Sequence, residues 1–182
     1  MGTARTVYIG LGSNLGNSAQ IIQEGWNLLG GYDRISPRQL SSPFLSAPVG
    51  MDSSYWFTNA AGVLQTSCTP LEFLDILLDT EKRLGRVRDG DKRGYQDRTL
   101  DLDLLYFDTE IIDIPRLTVP HPFRGERLFV LAPMAQIGPE WVDPETGLSM
   151  QSMHRMLLDK IDGGEVDVQE ITKSHWPVGS HE

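Results

Sequence analysis

Apolar and polar positions alternate along residues 98–108, which read RTLDLDLLYFD. Because side chains of a strand point alternately to opposite faces, this pattern predicts a strand with Asp101 and Asp103 on one face. Two carboxylates on one face of an apolar strand repel each other and are costly to remove from water. Their oxygens suit Mg²⁺ bound together with a phosphate substrate. At this point an edge strand whose acids face water explains the motif equally well.

The remaining periodicity predicts a succession of strands and helices. A buried strand over residues 6–11 leads into a helix with Ile22, Trp26 and Leu29 on one face, ended by Gly30. Residues 34–46 and 55–66 are rich in strand-forming residues. Two short segments, 111–114 and 116–121, are followed by expected short helices at 129–137 and 150–161 and a terminal strand at 166–168.

The clearest helix start is Thr69-Pro70-Leu71-Glu72, where threonine caps, proline takes the first turn and glutamate completes a capping box. Gly85 ends this helix. Two polar, glycine-containing segments, residues 47–54 and 89–97, are expected to be mobile loops. In the helix over 150–161, the expected inward-facing residues are Met153, Met156, Leu157 and Ile161.

Length and composition predict one soluble domain. The chain has 182 residues, of which 40% are hydrophobic, enough for a single core over residues 1–172, with residues 173–182 as a loose tail. Cys68 is the only cysteine, so a reducing cytoplasm is the expected location. No membrane segment is expected. The net charge of −9 argues against nucleic acid as a partner.

The basic residues are nevertheless concentrated. Residues 82–98 hold seven of the sixteen lysines and arginines, a grouping that fits a compact polyanion such as a nucleoside triphosphate. Taken alone, the grouping is better explained as a solvated helix end and loop, because acidic residues are interleaved with it. Its position just before Asp101 and Asp103 favours the phosphate interpretation.

Six motifs, in order over residues 7–142, resemble the 6-hydroxymethyl-7,8-dihydropterin pyrophosphokinases of folate biosynthesis. The motifs are YIGLGSNLG (8–16), FTNAA (57–61), E81 with LGRVR (84–88), RTLDLD (98–103), RLTVPHP (116–122) and ERLFVLAP (126–133). The resemblance implies an α+β ferredoxin-like sandwich, a mostly antiparallel sheet with helices packed on its faces. It also implies transfer of pyrophosphate from ATP to the pterin hydroxymethyl group, with release of AMP.

The resemblance assigns roles residue by residue. Asp101 and Asp103 would hold two Mg²⁺ ions that bridge the ATP phosphates, and Arg86 and Arg98 would be the catalytic arginines. The implied ATP-binding residues are Glu81, Arg88, Arg116, Thr118, His121 and Arg127. The implied pterin-binding residues are Ser46, Ala47, Val49, Phe57, Asn59 and Phe129, with the two phenylalanines stacking on the ring. Segments 47–54 and 89–97 would close over the substrates.

Without the family resemblance, some of these positions have ordinary structural explanations. Glu81 would be expected to face water, His121 to be an ordinary loop histidine, and Phe57 and Phe129 to be core residues. The chain also departs from the family at residues 94–97, GYQD, where many members have Trp-Gly-Pro, so Tyr95 is a candidate for the aromatic lid. Another Asp-x-Asp enzyme, such as a nucleotide-sugar transferase or phosphatase, and a non-catalytic pterin-binding module remain alternatives.

Overall fold

The computed structural model describes residues 4–48, 55–86 and 99–177. Its elements within these ranges are β1 (Arg5–Ser13), α1 (Ser18–Leu29), β2 (Ile35–Leu40), β3 (Phe44–Ser46), β4 (Phe57–Thr66), α2 (Pro70–Arg83), β5 (Asp101–Phe107), β6 (Ile112–Ile114), β7 (Leu117–Val119), α3 (Leu128–Ile137), α4 (Met150–Asp162) and β8 (Ile171–Lys173).

Six strands form one antiparallel sheet. Its order is β5-β1-β4-β3-β8, with β2 paired to the other end of β4. The short strands β6 and β7 pair with each other as a separate hairpin. None of the described helices is long and apolar enough to cross a membrane.

Two hydrophobic cores cover the two faces of the sheet. Alternation in β1 sends Val7, Ile9 and Leu11 into the core formed with α1 and α2. Tyr8 joins the other core, which α3 and α4 complete. Each helix buries its apolar stripe against one face of the sheet, so the predicted α+β ferredoxin-like sandwich is confirmed.

Local signals in the sequence explain how two of the helices are placed. In α2, the Thr69 hydroxyl accepts a hydrogen bond from the Glu72 backbone N–H at 3.3 Å, and the Glu72 carboxylate accepts one from Thr69 N–H at 2.8 Å. This is the predicted capping box. Gly85 follows the helix with φ +83°, as a residue at a helix end often does. The ring of Trp26 on α1 packs where a Cβ on Gly62 of β4 would lie.

The C-terminal part differs from the prediction. Val168, which was expected in the terminal strand, is 77% exposed. The terminal strand instead begins three residues after Val168, as β8 paired to β3. The expected tail begins inside this strand, and its Trp176 donates from Nε1 to the Ser41 carbonyl at 2.9 Å. Met156, predicted to face inward on α4, is 46% exposed, because the buried side of that helix is set by Met153 and Leu157.

Candidate active site

Two glycines of β1 create an open floor on the α3 side of the sheet. Gly12 pairs with Asn59 of β4 on one side and with Asp101 of β5 on the other, and Gly10 pairs with Asp103 in the same way. Directly paired residues of antiparallel strands share a face. A Cβ on Gly12 would lie 3.4 Å from Asn59 Oδ1, so glycine at this position leaves the space between the two polar side chains free.

A cavity lies above this floor. Most of the predicted pterin-binding residues line it together, whereas Val49 lies outside the described part of the chain. The lining comprises Gly10, Leu11, Gly12, Ser46, Ala47, Phe57, Asn59, Ala60, Asp101, Asp103, Leu105, Arg127, Phe129 and Val130.

Asn59 is held in one orientation at the edge of this cavity. Its Nδ2 donates a hydrogen bond to Ser46 Oγ at 2.9 Å, and both side chains are buried. The carbonyl oxygen of the amide therefore lies over Gly12. An amide fixed in this way presents an oriented polar group to the cavity.

A second cleft adjoins the first. The predicted ATP-binding residues in the described ranges all line it, and Asp101, Asp103 and Arg127 line both spaces. Arg88 and Arg98 lie outside the described residues. The two carboxylates therefore stand at the junction of an aromatic-lined cavity and a cleft rich in arginine.

Arg86 is anchored between two carboxylates. Its Nη1 makes ion pairs with Glu81, at 2.5 Å, and with Asp101. Burial lowers the pKa of Arg86, but the nearby carboxylates, Asp101 foremost, outweigh it and raise the pKa, so the guanidinium stays charged. A fixed positive charge is thus held beside the Asp101–Asp103 pair.

Glu81 does not face water. Its side chain is 2% exposed, and its Oε1 accepts a hydrogen bond from the backbone N–H of Leu102 at 2.8 Å. The water-facing interpretation of this residue is therefore wrong. Glu81 connects the end of α2 to β5 between its two aspartates.

His121 is neutral at the edge of the second cleft. Burial, reinforced by the charge of Arg127, lowers its pKa to about 4. Its Nδ1 accepts a hydrogen bond from the Phe123 backbone N–H at 3.2 Å, which places the proton of the neutral ring on Nε2. The ring lines the second cleft.

The other cleft residues are less constrained. Arg116 forms an exposed ion pair with Asp75 of α2, a kind of contact that costs little to break. Thr118 Oγ1 lies 3.4 Å from Asp113 Oδ1. The Arg127 guanidinium lies over the rings of Phe123 and Phe129, 4.8 and 5.6 Å from their centroids, where cation–π attraction orients it.

Comparison with known proteins agrees with this geometry. A family model described as 7,8-dihydro-6-hydroxymethylpterin-pyrophosphokinase (HPPK) matches residues 8–139. The chain belongs to this family. It is 39% identical over 130 residues to the 2-amino-4-hydroxy-6-hydroxymethyldihydropteridine pyrophosphokinase of Bacillus subtilis, covering 71% of this chain and 76% of that one. The enzyme of the same name from Pseudomonas aeruginosa is 39% identical over 137 residues, covering 74% and 81%.

Solved structures share the fold of this HPPK family member. The crystal structure of Plasmodium falciparum HPPK-DHPS with pteroate superposes with a TM-score of 0.73 at 12% identity, covering 91% of this chain and 44% of that one. The A437G form with SDX-DHP gives the same TM-score over 95% and 49%. The chain thus spans less than half of those chains, and at this identity the likeness concerns the fold alone.

The HPPK site has the donor set for a cation shared with a substrate. Within residues 4–48, 55–86 and 99–177, no three His, Cys, Asp or Glu side chains are grouped to hold a metal ion. Asp101 and Asp103 provide carboxylate oxygens next to the cleft. Mg²⁺ is commonly held by one or two carboxylates together with phosphate oxygens and water, so this pair fits Mg²⁺ that arrives with a nucleotide.

The sequence did not reveal two residues of this HPPK member that the structure brings close to the site. Arg124 and Asp143 form a buried ion pair beneath His121. Neither residue belongs to a recognisable motif, and charged residues are expected at the surface. The roles of Gly10 and Gly12 were also missed, although both lie in the first motif, because strand register was needed to place them opposite the aspartates.

Proposed function

We propose that this protein transfers pyrophosphate from ATP to the hydroxymethyl group of 6-hydroxymethyl-7,8-dihydropterin, releasing AMP, as an enzyme of folate biosynthesis. The observation that carries the proposal is the meeting of the aromatic-lined cavity and the arginine-rich cleft at Asp101 and Asp103. A reaction between a flat heterocycle and a triphosphate needs such a junction. The partners of the protein in this proposal are the two small molecules, ATP and the pterin.

The first cavity holds the pterin. Phe57 and Phe129 stack on the ring, a contact worth ~1–3 kcal/mol per aromatic partner. Asn59, oriented by Ser46, hydrogen-bonds the edge of the ring, and Ala47 lines the same wall. The hydroxymethyl arm then points along the floor toward the aspartates of β5.

The second cleft holds ATP. Arg116, Thr118, His121 and Arg127 contact the nucleotide, with the Nε2–H of His121 donating to a phosphate oxygen. Asp101 and Asp103 would hold two Mg²⁺ ions, which when bound would neutralise charge on the phosphates and make the pterin hydroxyl easier to deprotonate. Glu81 acts indirectly, by holding Arg86 and β5 in place.

The reaction is one displacement. The hydroxyl oxygen of the pterin forms a bond to the β-phosphorus of ATP and loses its proton to solvent. The bond between the β-phosphorus and the oxygen retained by the α-phosphate breaks, and AMP leaves with that oxygen. Arg86, and Arg98 with it, offsets the negative charge that moves across the phosphoryl group, a contribution worth ~10³ or more in rate.

Formation of AMP tests the proposal directly. Purified protein with Mg²⁺, ATP and 6-hydroxymethyl-7,8-dihydropterin is expected to produce AMP in equal amounts with the pyrophosphorylated pterin, and EDTA is expected to stop the reaction. D101N and D103N are expected to lose turnover while keeping the melting temperature within a few degrees. Release of inorganic phosphate instead of AMP would assign another reaction, and pterin binding without AMP would leave only a binding protein.

A further inference from the structure

A buried cluster of charged residues lies directly behind the nucleotide cleft. Arg124 is 7% exposed and Asp143 is fully buried. The guanidinium donates from Nε to Asp143 Oδ2 at 2.5 Å and from Nη2 to Oδ1 at 3.0 Å, a two-point contact. Nη2 also pairs with Glu145 at 2.5 Å. Burying such a pair costs desolvation that often equals the attraction gained, so stability alone does not explain it.

The cluster is bound to the turn that carries His121. Arg124 Nη1 donates to the His121 carbonyl oxygen at 3.2 Å, and the Arg124 backbone N–H donates to the same oxygen at 3.1 Å. The backbone N–H of His121 in turn donates to the Leu105 carbonyl of β5 at 3.0 Å. The backbone of His121 is therefore held on both sides, through its N–H and through its carbonyl oxygen.

The cluster is also bound to the strand that carries the aspartates. Tyr106 of β5 donates its hydroxyl to Asp143 Oδ2 at 2.9 Å. Burial would raise the pKa of Asp143, but hydrogen bonds, first from Arg124, hold it at about 2. Asp143 therefore remains a carboxylate that joins Tyr106 of β5 to Arg124 of the following turn.

We infer that the Arg124–Asp143 pair is a positioning element that fixes His121 and Arg127 against Asp101 and Asp103. The inference rests on the proposed function for the identity of the nucleotide. Arg124 lines neither the aromatic-lined cavity nor the nucleotide cleft; it acts through the turn of residues 121–127. Losing it lets that turn shift relative to β5, and displacements of about 1 Å in such sites can cost ~100-fold in rate.

The decisive variant is R124M/D143N. Methionine replaces the arginine stem with apolar volume, and asparagine keeps the oxygen that accepts from the Glu145 and Thr146 backbone N–H groups at 2.8 and 3.0 Å. We expect unchanged melting temperature, with the Kd for α,β-methylene-ATP raised ~10- to 100-fold, kcat lowered, and a clearly smaller loss of pterin affinity, since Arg127 also lines the pterin cavity. R124K, which keeps the charge but lacks the planar fork, is expected to fall between this variant and wild type.

The control is R5M/E110Q, which removes an ion pair at the far end of β1 and is expected to bind the analogue normally. Wild-type analogue affinity in a folded R124M/D143N or R124K variant would overturn the inference. So would equal losses of pterin and analogue binding, or unfolding of both variants, since either makes the pair a stability element. Binding of the analogue needs no turnover. A protein that binds the analogue but forms no AMP would therefore contradict the proposed function alone. A wild-type protein that does not bind the analogue would contradict both the inference and the proposed function.

Discussion

Asn59 and Asp101 lie in one row across three adjacent strands, with only the backbone of Gly12 between them. Neighbouring strands are ~4.8 Å apart, so this register sets their Cα atoms ~10 Å from each other. Asn59 belongs to the aromatic-lined cavity and Asp101 to its junction with the nucleotide cleft. The distance between the amide proposed to contact the pterin and the carboxylate proposed to lie near the phosphates is therefore fixed by the sheet itself.

A methyl group at Gly12 is expected to weaken pterin binding. In G12A the new Cβ lies 3.4 Å from Asn59 Oδ1, inside the space that the ring needs. Crowding of this kind costs ~1–3 kcal/mol, which corresponds to ~5- to 100-fold in Kd. Titration with the pterin and a thermal melt would show lower affinity at nearly unchanged stability.

G10A is the matched comparison in the same strand. Its Cβ would meet only the Leu105 side chain and Asp103 Cβ, at 3.7 and 3.8 Å, which are ordinary contacts. We expect a smaller loss of pterin affinity than in G12A. Equal losses in the two variants would show that the row through Asn59 and Asp101 has no special importance.

Removing the charge of Glu81 is expected to lower kcat without removing the fold. E81Q keeps an oxygen for the Leu102 N–H but loses the ion pair with Arg86. A hydrogen bond to a charged group is worth ~1.5–3 kcal/mol, so a fall in kcat of ~10- to 100-fold is expected. Steady-state AMP formation would measure it.

D79N is the control on the same helix, since Asp79 accepts from the Tyr32 hydroxyl on the exposed side. Its kcat should equal that of wild type. E81L would in addition leave the Leu102 N–H without its acceptor, at a cost of ~1–3 kcal/mol in the free energy of unfolding. Unchanged kcat in E81Q would remove Glu81 from the machinery that positions Arg86.

The lowered pKa of His121 predicts how the free energy of unfolding depends on pH. Its pKa is lowered to about 4 in the folded protein, against an ordinary value of about 6.5. Between these values the unfolded chain binds more protons at this residue, so the free energy of unfolding falls as the pH is lowered from about 6.5 to about 4. Above about 6.5 the contribution is constant.

Thermal melts of wild type and H121Q across this range would isolate the effect. The stability difference between the two proteins should shift in favour of H121Q as the pH falls, and should be flat from pH 7 to 8. A difference that stays constant from pH 4 to 7 would show that burial does not disfavour the charged form of His121.

The elements of the fold were largely predictable, because their signals are local. The capping box at Thr69 and Glu72 and the alternation through Asp101 and Asp103 each depend on a few neighbouring residues. The motifs that carry the family resemblance are also local, and they named residues that the structure brings together around the cavity and the cleft. The terminal strand was misplaced because Val166 and Val168 have the right side chains, whereas pairing with β3 selects residues 171–173.

The contacts across the site were not predictable. The burial of Glu81 depends on where the end of α2 meets β5, which no pattern within α2 encodes. Arg124 and Asp143 are 19 residues apart, and nothing local distinguishes them from surface charges. The importance of Gly12 comes from its two strand partners rather than from its own segment. Each of these features is tertiary.

The last prediction concerns β8, which lies beyond the residues that the family model matches. This strand pairs with β3, and the Ala47 backbone N–H donates to the Glu170 carbonyl at 3.1 Å. It therefore braces the wall that carries Ser46 and Ala47. Deleting residues 170–182 is expected to weaken pterin binding ~5-fold, the equivalent of ~1 kcal/mol for lost backbone hydrogen bonds.

The deletion is designed to spare the nucleotide side. It retains Gln169, which accepts from the Leu128 N–H and donates to the Glu126 carbonyl, both at 2.8 Å, at the start of α3. The Kd for α,β-methylene-ATP should therefore stay at the wild-type value while the KM for the pterin rises. Deleting residues 178–182 alone leaves β8 and Trp176 in place and should change neither constant. Equal weakening of both ligands by the longer deletion would contradict a local bracing role, because the damage would then extend to the whole sheet.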